Sequence, residues 1–212
     1  MIPLNSLSST PVPAPLLYPG NVVRNSLVED YELGGVAIQD PSQGHQVHAW
    51  YGYWDPTNNN IYLRPDVDTP TDTLIQTQAD VFEFSFAFDQ NMRWITVCTL
   101  TNGQTRLRWY DATIANYTTT LFTGIHSCKL TLDDKRALQI QRGATDVILT
   151  YLRVSDGALC FRAQRDRYLT EYVLSTALPQ NMKITNFGMG LIQRLQWRVS
   201  YRTFSERLPW LP

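Results

Sequence analysis

Apolar and polar residues alternate along this chain in short runs, and turn residues separate the runs at intervals too brief for helices. The clearest run is 82–88, where Phe82, Phe84, Phe86 and Phe88 alternate with Glu83, Ser85 and Ala87. Strict period two puts the four phenylalanines on one face of a strand. Burying four such rings contributes on the order of 6–12 kcal/mol, so they are expected in a core between sheets. The run 47–54 is apolar on both faces: Trp50, Gly52 and Trp54 share one with His48, and Val47, Ala49, Tyr51 and Tyr53 share the other. A strand of that kind is expected to lie between two neighbouring sheets. Trp94 and Trp109 are further candidates for the core.

The runs recur in a fixed order. In 130–174 a short strand, Leu130-Thr131-Leu132, ends in the polar turn Asp133-Asp134-Lys135-Arg136. A strand over 147–154 follows, then the turn Ser155-Asp156-Gly157, whose glycine suits a tight reversal. Strands at 159–162 and 171–174 complete a meander. The same plan appears over 84–122, with turns at 89–91 and Asn102-Gly103, and over 36–75, with turns at 39–41 and 56–60. Downstream, 183–187 and 195–202 read as the first two strands of another copy, which then stops. At the start, Leu16-Leu17-Tyr18 and the later Glu29-Asp30-Tyr31-Glu32-Leu33 resemble the closing strands of 130–174. Four-stranded repeats of roughly 40–50 residues are the pattern of propeller blades.

The expected fold is therefore all-β: a four-bladed β-propeller-like body over 16–204. Its units are 36–75, 84–122, 130–174 and 183–202, the last completed by 16–33 so that N- and C-terminal strands pair. A β-sandwich is the alternative. Residues 1–15 hold Pro3, Pro11, Pro13 and Pro15 and read as an extended arm that frays or lies over a neighbouring subunit. The tail 205–212 carries Trp210, to be pinned on its own body or inserted into a partner.

At 212 residues the chain is long enough for one well-buried domain. Charged residues are only 17%, against roughly 25% in an average soluble domain. That shortage, with 12% aromatics, suggests a surface covered by a partner. A formal net charge of −1 gives no general attraction to nucleic acid. No segment is apolar for the ~18 residues of a membrane helix, and the N-terminus lacks the basic and apolar regions of a secretion signal. Cys98, Cys128 and Cys160 are odd in number and widely spaced, and are expected as buried free thiols.

Chemistry is sparse. His45 and His48 are three apart, which on a strand sends them to opposite faces, and no ligand set completes a zinc site. Asp66, Asp68 and Asp72 lie in a Pro/Thr loop without calcium-loop spacing and read as turn residues. Arg106 and Arg108, and Arg162, Arg165 and Arg167, read as solvated strands or as an anion- or partner-docking patch. Glu83, Asp133, Asp134 and Glu171 are available carboxylates, but nothing in their spacing selects an acid–base pair, and His126 stands alone. The expectation is a protein that is not an enzyme, with no catalytic, metal-binding or cofactor-binding residues and no cofactor.

The phrases YELGGVAIQDPSQG, RWYD, LTLDDKR, DVILTYLR, FRAQRDRYLTEY and NFGMGLIQRLQW, spread over 31–202, resemble structural proteins of tailed bacteriophages, the virion or tail components often described as fibre-like. The resemblance implies a tail component in multiple, symmetric copies, made in the host cytoplasm and built into the virion. Its partners would be other tail proteins and its own copies, with no nucleic acid and no membrane insertion. A tail-tip receptor- or carbohydrate-binding module, touching the host surface, is the alternative.

Overall fold

The structure, a computed structural model, describes residues 38–40, 46–48, 50–65, 69–89, 91, 93–133, 146–176, 178–179, 181–189, 195–201 and 207–210. It is all-β and antiparallel throughout. The first meander contains β1 (Ile38–Asp40), β2 (Gln46–His48), β3 (Trp50–Asp55), β4 (Asn60–Pro65) and β5 (Thr73–Thr77). The second contains β6 (Val81–Phe88), β7 (Trp94–Leu100), β8 (Thr105–Asp111) and β9 (Asn116–Phe122). The third contains β10 (Ile125–Asp133), β11 (Asp146–Arg153), β12 (Leu159–Ala163) and β13 (Tyr172–Ser175). Last come β14 (Met182–Met189) and β15 (Leu195–Tyr201). Pairing is between sequence neighbours within each of five sheets, β1-β2, β3-β4-β5, β6-β7-β8-β9, β10-β11-β12-β13 and β14-β15, so the second and third runs form four-stranded sheets, whereas the first is divided between two.

The sheets stack face to face. Trp54, Ile61, Leu63 and Ile75 of the first sheet meet Phe84, Phe86 and Phe88 of the second. The other face of the second sheet, with Ile95, Val97, Leu107 and Trp109, meets Val147, Leu149, Tyr151 and Cys160 of the third. The far face of the third, with Ile148 and Leu152, meets Met182 and Ile184 of β14. This explains why β7 and β11 are buried on both faces: each runs through the middle of a sheet covered on both sides. Burial falls toward the outer edge, where every residue of β13 is exposed.

Among the described residues the sheets do not close into a barrel or a propeller ring. What is seen is a stack of open antiparallel sheets, with which the sandwich alternative is consistent. Face-to-face packing already buries the apolar faces, so no ring is needed to account for the core. The expected closing segment, 16–33, lies outside the described residues, as do the arm 1–15 and residues 134–145.

Three details depart from the alternation. Phe82 does not join its three neighbours, because the ladder between β6 and β7 shifts register between Val81 and Glu83. The extra residue of the bulge reverses parity, so Val81 takes the core position beside Phe84 and Phe82 turns to Trp210 instead. β10 begins at Ile125 rather than Leu130, carried past Ser127, which adopts a φ of 51°, by a register shift between His126 and Lys129. The closing strand of the third unit begins at Tyr172 rather than Glu171, whose side chain joins a cluster described below.

Candidate functional site

The polar residues of the body are first of all turn builders. Asp89, just after β6, accepts the backbone N–H groups of Asn91 (2.8 Å) and Arg93 (3.0 Å), and its second oxygen accepts Arg93 Nε at 2.7 Å. Asp111, the last residue of β8, accepts the N–H of Thr113 at 2.9 Å. Asp55 and Asn102 do the same for Thr57 and Gln104, each at 2.9 Å. An Asp or Asn that bonds the backbone two residues on imitates a turn, which closes each hairpin without a long loop.

The residues singled out from the sequence are mostly engaged in this way. Asp72 holds Arg64 through two bonds of 2.6 Å and accepts the Tyr53 hydroxyl at 2.8 Å. The Arg64 bonds keep the Asp72 carboxyl below its usual range, while burial and the Asp72 bond push the Tyr53 phenol up. Asp66 and Asp68 lie outside the described residues, as do His45 and Asp134, and the side chains of His48 and Asp133 are not described. His126 is buried, its Nδ1 3.3 Å from Ser127 Oγ. Glu83 accepts the N–H of Ser127 at 2.9 Å, tying β6 to β10. Glu171 accepts from Tyr151, from Arg153 at 2.5 Å and from Arg162 at 3.5 Å. Glu83 and Glu171 thus serve separate clusters and are not brought together as an acid–base pair.

The arginines are docked on the body. Arg106 bonds Gln104 and Gln78, and Arg108 lies over the Trp94 and Tyr117 rings. Arg162 bonds the Tyr168 and Leu169 carbonyls and covers Phe122. Arg165 reaches Asp146, and Arg167 reaches Asp111 at 2.6 Å. Of the tryptophans, Trp54 and Trp109 are buried, and Trp50 and Trp94 pack against the first core layer. Burial pushes the thiols of Cys98 and Cys128 up to about 12 and that of Cys160 to about 11. No group of three or more His, Cys, Asp or Glu side chains placed to hold a metal occurs among the described residues, and no described helix is long and apolar enough to cross a membrane.

Sequence reasoning missed one feature. At one end of the seam between the second and third sheets lies a cleft of about 250 Å³. Its walls come from the turn after β6, the β8–β9 turn, the start of β11 and a short 3-10 helix, Gln164–Asp166. Three aspartate–arginine pairs line it: Asp89 with Arg93, Asp111 with Arg167, and Asp146 with Arg165. Burial acts to raise the Asp111 pKa, but the backbone and hydroxyl of Thr113 and the Arg167 guanidinium hold it below the usual carboxylate range. Asp111 and Arg167 are far apart in the chain and become neighbours only when the two sheets stack, so no local motif marks the cleft.

No protein-family model matches the chain, and no curated protein matches it significantly.

Proposed function

We propose that the chain is a structural component of a tailed-phage virion, assembling in several copies within the tail. The observation that carries this reading is the outer edge of the third sheet. β13 ends the order β10-β11-β12-β13, so among the described residues one side of its backbone has no partner strand. Its Tyr172, Val173 and Leu174 are 45, 49 and 41% exposed, and Leu169 beside them is 74% exposed. An unpaired apolar edge without a charge recruits another chain, and monomers ordinarily blunt such edges with lysine or proline. The engaged aspartates and arginines fit the same reading, since among the described residues they fasten turns and sheets. The finer architecture, a four-bladed propeller closed by 16–33, is supported by β10 packing side by side with both β6 and β14, the first strands of successive units.

The test is Val173→Lys, which places a charge on the edge at a half-exposed position. The variant should keep its melting temperature, lose self-association in sedimentation velocity and drop at least tenfold in incorporation into particles. Unchanged incorporation overturns the reading.

A further inference from the structure

The cleft between the second and third sheets has a lopsided hydrogen-bonding inventory. Its carboxylates are engaged: both oxygens of Asp89 and of Asp111 accept bonds from turn backbone or guanidinium groups, and Asp146 accepts Arg165. Its donors are not. Arg167 bonds Asp111 through Nη2 alone, leaving Nε and Nη1 without an acceptor among the described residues. Arg165 uses only Nε, which leaves the outer edge of its guanidinium open, and Arg93 uses only Nε as well. Both Arg165 and Arg167 are more than half exposed, at 59 and 53%. Behind the wall, Tyr168 packs edge-on against Trp109, and its hydroxyl, in the field of Asp89 and Asp146, is buried without a partner.

A ligand here must therefore bring acceptors. The open Nη1–Nη2 edge of Arg165 matches a carboxylate in two parallel bonds, and the open donors of Arg167 add single ones. The three aspartates balance the three arginines, so the lining is formally neutral and disfavours a dianion over a singly charged group. The volume is at the small end of ligand pockets and suits one sugar-sized ring. We propose that this cleft binds a small monocarboxylate of sugar-acid size, through Arg165 and Arg167. The inference does not depend on the assembly reading above, and either can fail alone.

The experiment is calorimetric titration of the full chain with glucuronate, glucose and inorganic phosphate. Glucuronate should bind saturably, with glucose and phosphate at least tenfold weaker. Arg165→Gln and Arg167→Gln should each weaken glucuronate about tenfold, and Arg165→Lys should not restore it, because an ammonium keeps the charge and loses the fork. Arg165 is largely exposed, so Arg165→Gln reports on binding even if substitution at Arg167 perturbs folding. Absence of glucuronate binding, equal binding of glucose, tighter binding of phosphate, or indifference to Arg165→Gln overturns the proposal.

Discussion

Gly52 shows how one residue sets the distance between two sheets. It lies on β3 directly beneath the Phe84 and Phe86 rings. A Cβ there would stand 2.5 Å from Phe84 Cζ and 2.7 Å from Phe86 Cδ1, closer than atoms can approach. The missing side chain is what lets two phenylalanines fill that layer. Gly52→Val must push the rings out of place in a packed core, where overpacking costs about 1–3 kcal/mol. The expected outcome is a lower urea midpoint with an unchanged slope; a midpoint equal to that of the parent would show that the rings have room to move. The glycine was legible as a position on the Trp50–Trp54 face, but nothing in its neighbours along the chain says that Phe84 sits above it.

The C-terminal tail and the β6 bulge depend on each other. Register slips at Phe82, and the ring so displaced meets Trp210 edge-on, with centroids 5.4 Å apart. Trp210 also covers Gly103, which at a φ of 82° closes the β7–β8 turn and could carry no Cβ beneath the indole. Leu208 is buried alongside. The tail therefore fastens two hairpins of the second sheet, and of the two sequence expectations for Trp210 the first holds. Trp210→Ala should cost about 1–2 kcal/mol, less than the ~3–5 of a fully buried tryptophan, because one side of the ring faces water. Urea unfolding checks this; no loss of stability would mean that the tail is laid on the body without holding it.

Across the whole molecule, aspartates hold the hairpins and the seams, which predicts how the body responds to acid. Arg64 lowers the pKa of Asp72, and the Arg153 bonds bring Asp156 down to about 2. Asp111 is lowered as well. A carboxylate depressed on folding contributes stability above its unfolded pKa of ~3.9, and the contribution is lost as pH falls through the folded value. Stability should thus stay level from neutral pH to about 5 and fall between about 4 and 2. Urea midpoints measured across that range check it; a midpoint constant down to pH 2 would mean that these pairs contribute nothing net. Arg153 and Asp156 are partly exposed, at 31 and 45%, so salt should weaken their share of the effect.

Local pattern determined a good deal about this protein. Period-two runs located β3, β6, β7, β8, β11 and β12, the Asn102-Gly103 and Asp156-Gly157 turns, and the repetition of meanders, because strand pairing between sequence neighbours needs only alternation and a turn. Stacking decided the rest. The bulge at Phe82, the extension of β10 through Ser127, the pairing of Arg167 with Asp111 across the seam and the covering of Gly103 by Trp210 all join residues distant along the chain. Alternation tells a strand which face is apolar, but not which neighbouring sheet will cover it. It is that choice of neighbour that turned Phe82 outward, docked the arginines and opened the cleft.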